Sequence, residues 1–187
     1  MGKFLDIYQS DAHRYGDSSS FMKRAILYFK YPGVKYSFWM RLSCALKRHK
    51  LAMPLYLIAR MILRHCSYRF GIDIPYNTEI GGGFYIGHFG AIVVNGMAKI
   101  GQNVNISQGV TIGQSNRGDR RGVPTIGSRV YIGPGAKIIG NIQIGNNVAI
   151  GANAVVTKDV PDNAVVAGIP ARIISMDGAD GYVDRVV

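Results

Sequence analysis

At 187 residues and 48% hydrophobic content, the chain is long enough for one core, or for a solenoid with a small extra module. Its formal charge of +11 is uneven, because residues 1–70 carry 13 Lys and Arg against 3 Asp while the remainder is nearly neutral. These features exclude a disulfide-built scaffold, with Cys44 and Cys66 read as reduced, buried thiols, and they exclude a bilayer span, since the apolar stretch from Leu51 to Leu63 is short and broken by Arg60.

No apolar leader follows Met1, which points to the cytoplasm. Residues 1–20 read as a loose lead-in whose Asp17-Ser18-Ser19-Ser20 run supplies an N-cap for a helix over 21–30. Tyr31-Pro32-Gly33 reads as a turn, and residues 34–49 and 52–68 show apolar residues at helical spacing, among them Phe38, Leu42, Leu55, Ile58 and Ile62. Pro54 suits the first turn of the latter helix. Residues 1–70 thus form a basic helical module whose expected task is to cap the open end of a solenoid. Its charge leaves two readings open: a solvated surface, or attraction to an anionic carrier or the inner membrane face as a peripheral contact. Nucleic acid is disfavoured, because no binding motif accompanies the charge.

From residue 71 to 160 an aliphatic residue recurs every sixth position: Ile74, Ile80, Ile86, Ile92; then Val94, Ile100, Ile106, Ile112; then Ile126, Ile132, Ile138, Ile144, Ile150, Val156. Six fits neither a helix nor a lone strand. It fits an all-β solenoid of short flat faces, a parallel β-helix of hexapeptide repeats with one inward side chain per face. Pro161 to Arg172 leaves the solenoid, and within the extension 161–187 the tail after Ser175 is polar and expected to be mobile.

The register breaks twice. Two residues slip between Ile86 and Val94, and fourteen residues replace an expected twelve between Ile112 and Ile126. The second break, Gly113 to Pro124, is polar, basic and glycine-rich, and reads as a loop thrown out of the wall. His88 lies in the first break, flanked by Gly87 and Gly90. Its side chain suits a general base near neutral pH, and equally a corner histidine hydrogen-bonded to backbone. Asp73 lies fifteen residues earlier, close to one coil of about eighteen. It suits a carboxylate that orients the imidazole, and equally a turn residue before Pro75.

Several segments together resemble a known family. Asp73-Ile74, Ile86-Gly87-His88-Phe89-Gly90-Ala91-Ile92-Val93-Val94, Gly109-Val110-Thr111-Ile112-Gly113, Ile132-Gly133-Pro134-Gly135-Ala136-Lys137-Ile138, Ala154-Val155-Val156-Thr157-Lys158-Asp159-Val160-Pro161 and Ala167-Gly168-Ile169-Pro170-Ala171-Arg172 look like serine acetyltransferases and their polysaccharide-modifying relatives. The resemblance implies a left-handed parallel β-helix, a homotrimer, and acetyl-CoA bound along the solenoid between subunits, with no metal. It makes His88 the base and Asp73 its orienting partner. It places Gly113, Gln114, Ser115, Gly133, Pro134 and Ala152 against the pantetheine arm, Thr157 and Lys158 on the coenzyme, and Arg172 at its phosphates. Backbone N–H groups near the Gln114–Ser115 turn become the expected oxyanion donors.

Three departures bear on the acceptor. Serine acetyltransferases carry a histidine before the proline matching Pro124, an acidic residue before the catalytic histidine, and a longer helical domain. This chain has Val123, Gly87 and about 70 residues there. An amino acid needs charged partners, whereas a sugar hydroxyl needs neutral hydrogen bonds. Together with Tyr31-Pro32-Gly33, this leads to the expectation of a saccharide O-acetyltransferase of the capsule and exopolysaccharide branch, with a lipid-linked or acidic acceptor among the candidates. Serine O-acetyltransferase is the alternative. A non-catalytic scaffold would have no reason to break register at His88, and a zinc hydrolyase would need three converging imidazoles where the repeats hold one.

Overall fold

A computed structural model of the chain describes residues 2–47 and 49–187. It opens with four helices: α1 (Gly2–His13), α2 (Phe21–Lys30), α3 (Pro32–Leu46) and α4 (Met53–Phe70), with a 3₁₀ turn over Lys50–Ala52. The expected loose lead-in is mostly helix. Phe4, Tyr8 and Ala12 make a one-face stripe that packs with Leu27 and Val34, and this tertiary contact outweighs the polar residues between them. Ser20 caps α2 as expected, its hydroxyl accepting from the Lys23 N–H at 3.2 Å. Tyr31-Pro32-Gly33 is not a free turn. Pro32 starts α3, where its missing N–H costs nothing. In α4 the buried stripe is Ala59, Leu63, Cys66 and Phe70, while Leu55 and Ile58 face outward. Cys66 is buried, but Cys44 is exposed, contrary to the expectation for both thiols.

The repeats fold into a three-faced parallel β-helix. The first face stacks β1 (Ile72–Asp73), β4 (Ile92–Val94), β7 (Thr111–Gly113), β10 (Lys137–Ile139) and β13 (Val155–Val156). The second stacks β2 (Glu79–Ile80), β5 (Lys99–Ile100), β8 (Thr125–Ile126) and β11 (Gln143–Ile144). The third stacks β3 (Tyr85–Ile86), β6 (Asn105–Ile106), β9 (Tyr131–Ile132), β12 (Ala149–Ile150) and β14 (Val165–Gly168), with β15 (Ala171–Ser175) folded back antiparallel on β14. Like residues meet through the wall: Val94 lies beside Ile112, Ile112 beside Ile138, and Ile138 beside Val156, all buried.

The register gives the size of each break. Ile126 lies opposite Ile144, a regular coil of 18 residues. Ile72 lies opposite Ile92, a coil of 20, so the first break adds two residues. Ile100 lies opposite Ile126, a coil of 26, so the second adds eight. The fourteen residues from Ile112 to Ile126 therefore replace six, not twelve, because β7 and β8 sit on adjacent faces. The parallel ladder also continues past residue 160, since Val166 pairs with Ile150.

The first coil has three edge strands, and side chains of the helical module meet their backbone groups. The Tyr36 hydroxyl donates to Ile74 O at 2.9 Å and accepts from Ile74 N at 3.1 Å. Tyr15 does the same at Ile86, donating at 3.0 Å and accepting at 2.8 Å. Arg41 donates to Ile80 O and Gly81 O, both at 2.6 Å, while its Nε holds the buried Asp11 carboxylate at 3.0 Å. Burial pushes the Asp11 carboxyl up, and Arg41 and the Phe84 N–H, donating at 2.9 Å, pull it back. Arg14 donates to Gly83 O, Asn105 Oδ1 and Asp184 O, each at 2.7 Å. The last contact ties in the C-terminal tail. Asn103 and Val187 exchange bonds of 2.9 and 3.0 Å, Tyr182 stacks on Tyr131, and Ala179 and Val183 are buried, so the tail expected to be mobile is packed along the third face.

Tyr36→Phe strips the partner from two backbone groups of Ile74 in a buried site. It is expected to lower unfolding free energy by about 1–3 kcal/mol in urea titration. Tyr76→Phe, whose hydroxyl meets another tyrosine near the surface, should change it by less than about 0.5 kcal/mol.

Candidate active site

The expected site residues fall on the first face and its two flanking corners. On that face Asp73 points outward in register with Val93, followed coil by coil by Thr111, Lys137 and Val155. The corner leading into the face carries His88 in the first coil, Gly133 and Pro134 in the third, and Ala152 in the fourth. The corner leading out of it carries Gly113, Gln114 and Ser115 at the long loop, and Thr157 and Lys158 two coils on.

The two extra residues of the first break make the His88 corner unlike those below it. Gly109, Gly135 and Asn153 hold the left-handed position in the regular corners; here Gly90 at φ 115° and Ala91 at φ 52° hold it in succession. The backbone is tied at both ends, with Ile92 N donating to Gly71 O and Gly109 N to Gly90 O. An L-residue in this region stores strain. Its effect here is to lift His88 and Phe89 out of the wall, where both are exposed. Among the described residues no hydrogen bond engages the His88 imidazole or the Asp73 carboxylate. The histidine is therefore not the backbone-held corner residue that the sequence left open. Asp73 and His88 sit at the head of the same face, and no direct bond joins them.

Asp73 lines a cleft of about 630 Å³ between α4 and the first coil, with Arg60, Arg64, Tyr68 and Val93. Sequence reasoning missed Arg60 and Arg64, although their i, i+4 spacing on a predicted helix was a signal. It also missed Lys137, whose ammonium donates to Gly109 O and to Thr111 Oγ1 at 3.1 Å and fixes the middle of the face. Lys137 lay in the outward slot beside Ile138.

The small-residue positions have mixed causes. A Cβ on Gly133 would meet Ile150 O at 2.7 Å, so its bareness already serves the packing of neighbouring coils. The Ser115 N–H donates to Gly122 O at 2.9 Å, closing the loop base, and is not a free oxyanion donor. The loop also leans on its own wall through Asn141 N to Arg120 O and Arg120 to Asp159, leaving Asn116 to Asp119 exposed. Thr157, Lys158 and Arg172 do come together, around a cavity of about 360 Å³ at the far end of the same face. Two exposed cations beside a hydroxyl suit a phosphate-bearing ligand, and the Asp159 carboxylate on the same lining is paired with Arg120.

The family model described as "Bacterial transferase hexapeptide (six repeats)" matches residues 124–158. The serine acetyltransferase of Helicobacter pylori strain J99 is 37% identical over 147 residues, covering 79% of this chain and 84% of that protein. That of Mycobacterium tuberculosis is 40% identical over 151 residues, with 78% of this chain and 62% of the relative covered. The crystal structure of the Neisseria gonorrhoeae serine acetyltransferase in complex with serine superposes with a TM-score of 0.74 at 30% identity, over 93% of this chain and 70% of that one. These relatives lend no support to the polysaccharide-modifying branch. The segment Tyr31-Pro32-Gly33, which had favoured it, has a structural cause: a Cβ on Gly33 would collide with the Tyr15 hydroxyl and with Ile86 O, so glycine lets α3 seat on the first coil. The chain belongs to the serine acetyltransferase family and is an acetyl-CoA-dependent acyltransferase.

Proposed function

We propose that the chain transfers the acetyl group of acetyl-CoA to the hydroxyl of serine, with His88 as general base. The observation that carries this reading is the exposed, unengaged imidazole in a strained two-residue insertion, at the head of the face whose far end holds the Lys158 and Arg172 cations. The similarity to serine acetyltransferases supports serine as the acceptor. In the proposed step His88 takes the hydroxyl proton as the oxygen bonds to the thioester carbonyl carbon. The tetrahedral intermediate then breaks its C–S bond, and the imidazolium returns the proton to the departing thiolate. Asp73, outward on β1, steadies the imidazolium through its charge, and Lys158 and Arg172 receive the phosphates of the coenzyme. Gly113, Gln114, Pro134 and Ala152 border its path along the face. The assembly belonging to this reading is the homotrimer that the family resemblance implies, with sites at subunit borders reached by the exposed loop tip.

A second reading rests on Gly87 and Val123, which stand where the family carries an acidic residue and a histidine. Neither can pair with an ammonium or a carboxylate. An uncharged alcohol, a sugar hydroxyl among them, is the acceptor this favours. Release of free thiol from acetyl-CoA, measured with L-serine and with neutral glycans in parallel, separates the two. The serine reading expects turnover with L-serine and none with glycans; the reverse pattern overturns it.

His88→Ala is expected to lower kcat by about 10²–10⁴ without altering assembly, and Asp73→Asn to lower it by less. Near-normal turnover in a correctly assembled His88→Ala protein would remove the mechanism.

Replacing both Lys158 and Arg172 by alanine should raise KM for acetyl-CoA about tenfold with little change in kcat, because two charge-assisted bonds to phosphate are lost from ground and transition states alike. An unchanged KM would place the phosphates elsewhere.

Light scattering at micromolar concentration should give three times the 20.4 kDa chain mass. A fully active monomer would refute sites shared between subunits.

A further inference from the structure

Helix α2 buries one residue, Leu27, and turns most of its apolar surface away from the protein. Phe21 is 81% exposed, Met22 73%, Ile26 59% and Phe29 77%. At 100° per residue these four fall within an arc of about 140°. Lys23 and Lys30, both exposed, run along one border of that arc. The surface continues into a groove of about 380 Å³ between α1 and α2, lined by Leu5, Tyr8, Phe21, Ala25, Phe29 and Phe38. Arg24 lies in the same groove, and the Lys35 ammonium sits over the Tyr28 and Phe29 rings at 5.2 and 5.7 Å. The acids near this surface are few. Asp17 is paired with Lys23, Asp11 is buried under Arg41, and Asp6 is exposed on α1.

We propose that this α1–α2 face rests on an anionic phospholipid surface. Phe21, Met22, Ile26 and Phe29 enter the boundary between headgroups and acyl chains, Lys30 meets lipid phosphate, and Lys23 does so by exchanging its exposed pairing with Asp17 for one with the lipid. A large exposed apolar stripe edged by cations is the arrangement an interfacial helix needs. Charge selects the occupant. Across a twofold contact a second copy of the chain would set the same lysines against each other, whereas an anionic bilayer neutralises them. No described helix is long and apolar enough to cross the membrane, so the contact is peripheral. The face belongs to the helical module, apart from the solenoid face that carries His88, and a bound enzyme would keep its proposed site in water.

The test is flotation of the full chain with vesicles of phosphatidylglycerol and phosphatidylcholine, and with phosphatidylcholine alone, at low and high salt. The expected result is binding to the anionic vesicles that falls with salt, because exposed charge attraction is screened within about 10 Å at 0.1 M. The double variant Ile26→Glu, Phe29→Glu should weaken that binding about tenfold or more. Both positions are exposed, so unfolding by urea and acetyl transfer in solution should be unchanged. Failure to bind, equal binding to both vesicle types, or binding untouched by the double variant would overturn the proposal. So would a vesicle-free higher assembly that the double variant disperses, since the face would then belong to a second copy.

Discussion

A parallel β-helix cannot leave its first coil bare. Each strand there offers N–H and C=O groups in register for another coil, and without a partner they lose hydrogen bonds or recruit a foreign strand. Here the partner is a set of side chains. Tyr36 and Tyr15 each present one hydroxyl that donates and accepts at the same residue, as a backbone amide would, at Ile74 on the first face and at Ile86 on the third. Arg41 covers the carbonyls of the second, with Asp11 balancing its charge. The helices therefore have to sit in one place, and their packing follows: Gly33 is bare so that α3 can approach, and α1 must be a helix so that Ser10, Asp11 and Arg14 project together at the turn Gly82 to Phe84.

That dependence explains what could and could not be read from the residues. The hexad of Ile and Val showed the solenoid, because one inward side chain per face leaves a period no other fold produces. The outward placement of His88 was legible as a departure from a known period, and that of Asp73 from its spacing of about one coil before it. The caps were not. Arg14 and Arg41 entered the count as part of a uniformly basic surface, yet both are buried and spent on carbonyls; only tertiary placement separates them from Lys30. The tail gave no periodic signal either, since it is held by Asn103 and Asn105, whose amides look like ordinary corner residues. The long loop was misjudged because the residues do not tell whether Ile112 and Ile126 sit on adjacent faces or two faces apart, and only the former makes fourteen residues a large excess.

The placement of the candidate site follows from the same repeat. A regular corner is fully used: its left-handed residue bonds to the coil before, and its glycine is closed over by the coil after, as at Gly133. Such a corner leaves its backbone little freedom to lift a residue out of the wall. Two extra residues free one, and the energetic cost is local, confined to Gly90 and Ala91. The eight-residue insertion does the corresponding thing at the opposite edge of the face, again without disturbing the next coil, whose spacing returns to 18. Insertions at corners are the places where a solenoid can gain function while its stacked core stays intact.

The acceptor question turns on that same economy. Gly87 precedes His88 at the start of the insertion, and a Cβ there would approach the Tyr85 ring at 3.2 Å. Tyr85 in turn packs on Tyr15, the hydroxyl that caps Ile86, with ring centroids 4.5 Å apart. A side chain at position 87 would need the edge of that ring to give by a few tenths of an ångström. The position is thus constrained from below by the capping of the first coil as well as from above by the acceptor. Packing against that ring favours a small residue at 87 independently of the acceptor. Val123 is half-buried in the loop beside Pro124, outside the capped coil. Of the two departures from the family pattern, position 87 therefore bears on the cap as well as on the proposed acceptor, whereas position 123 lies away from the cap.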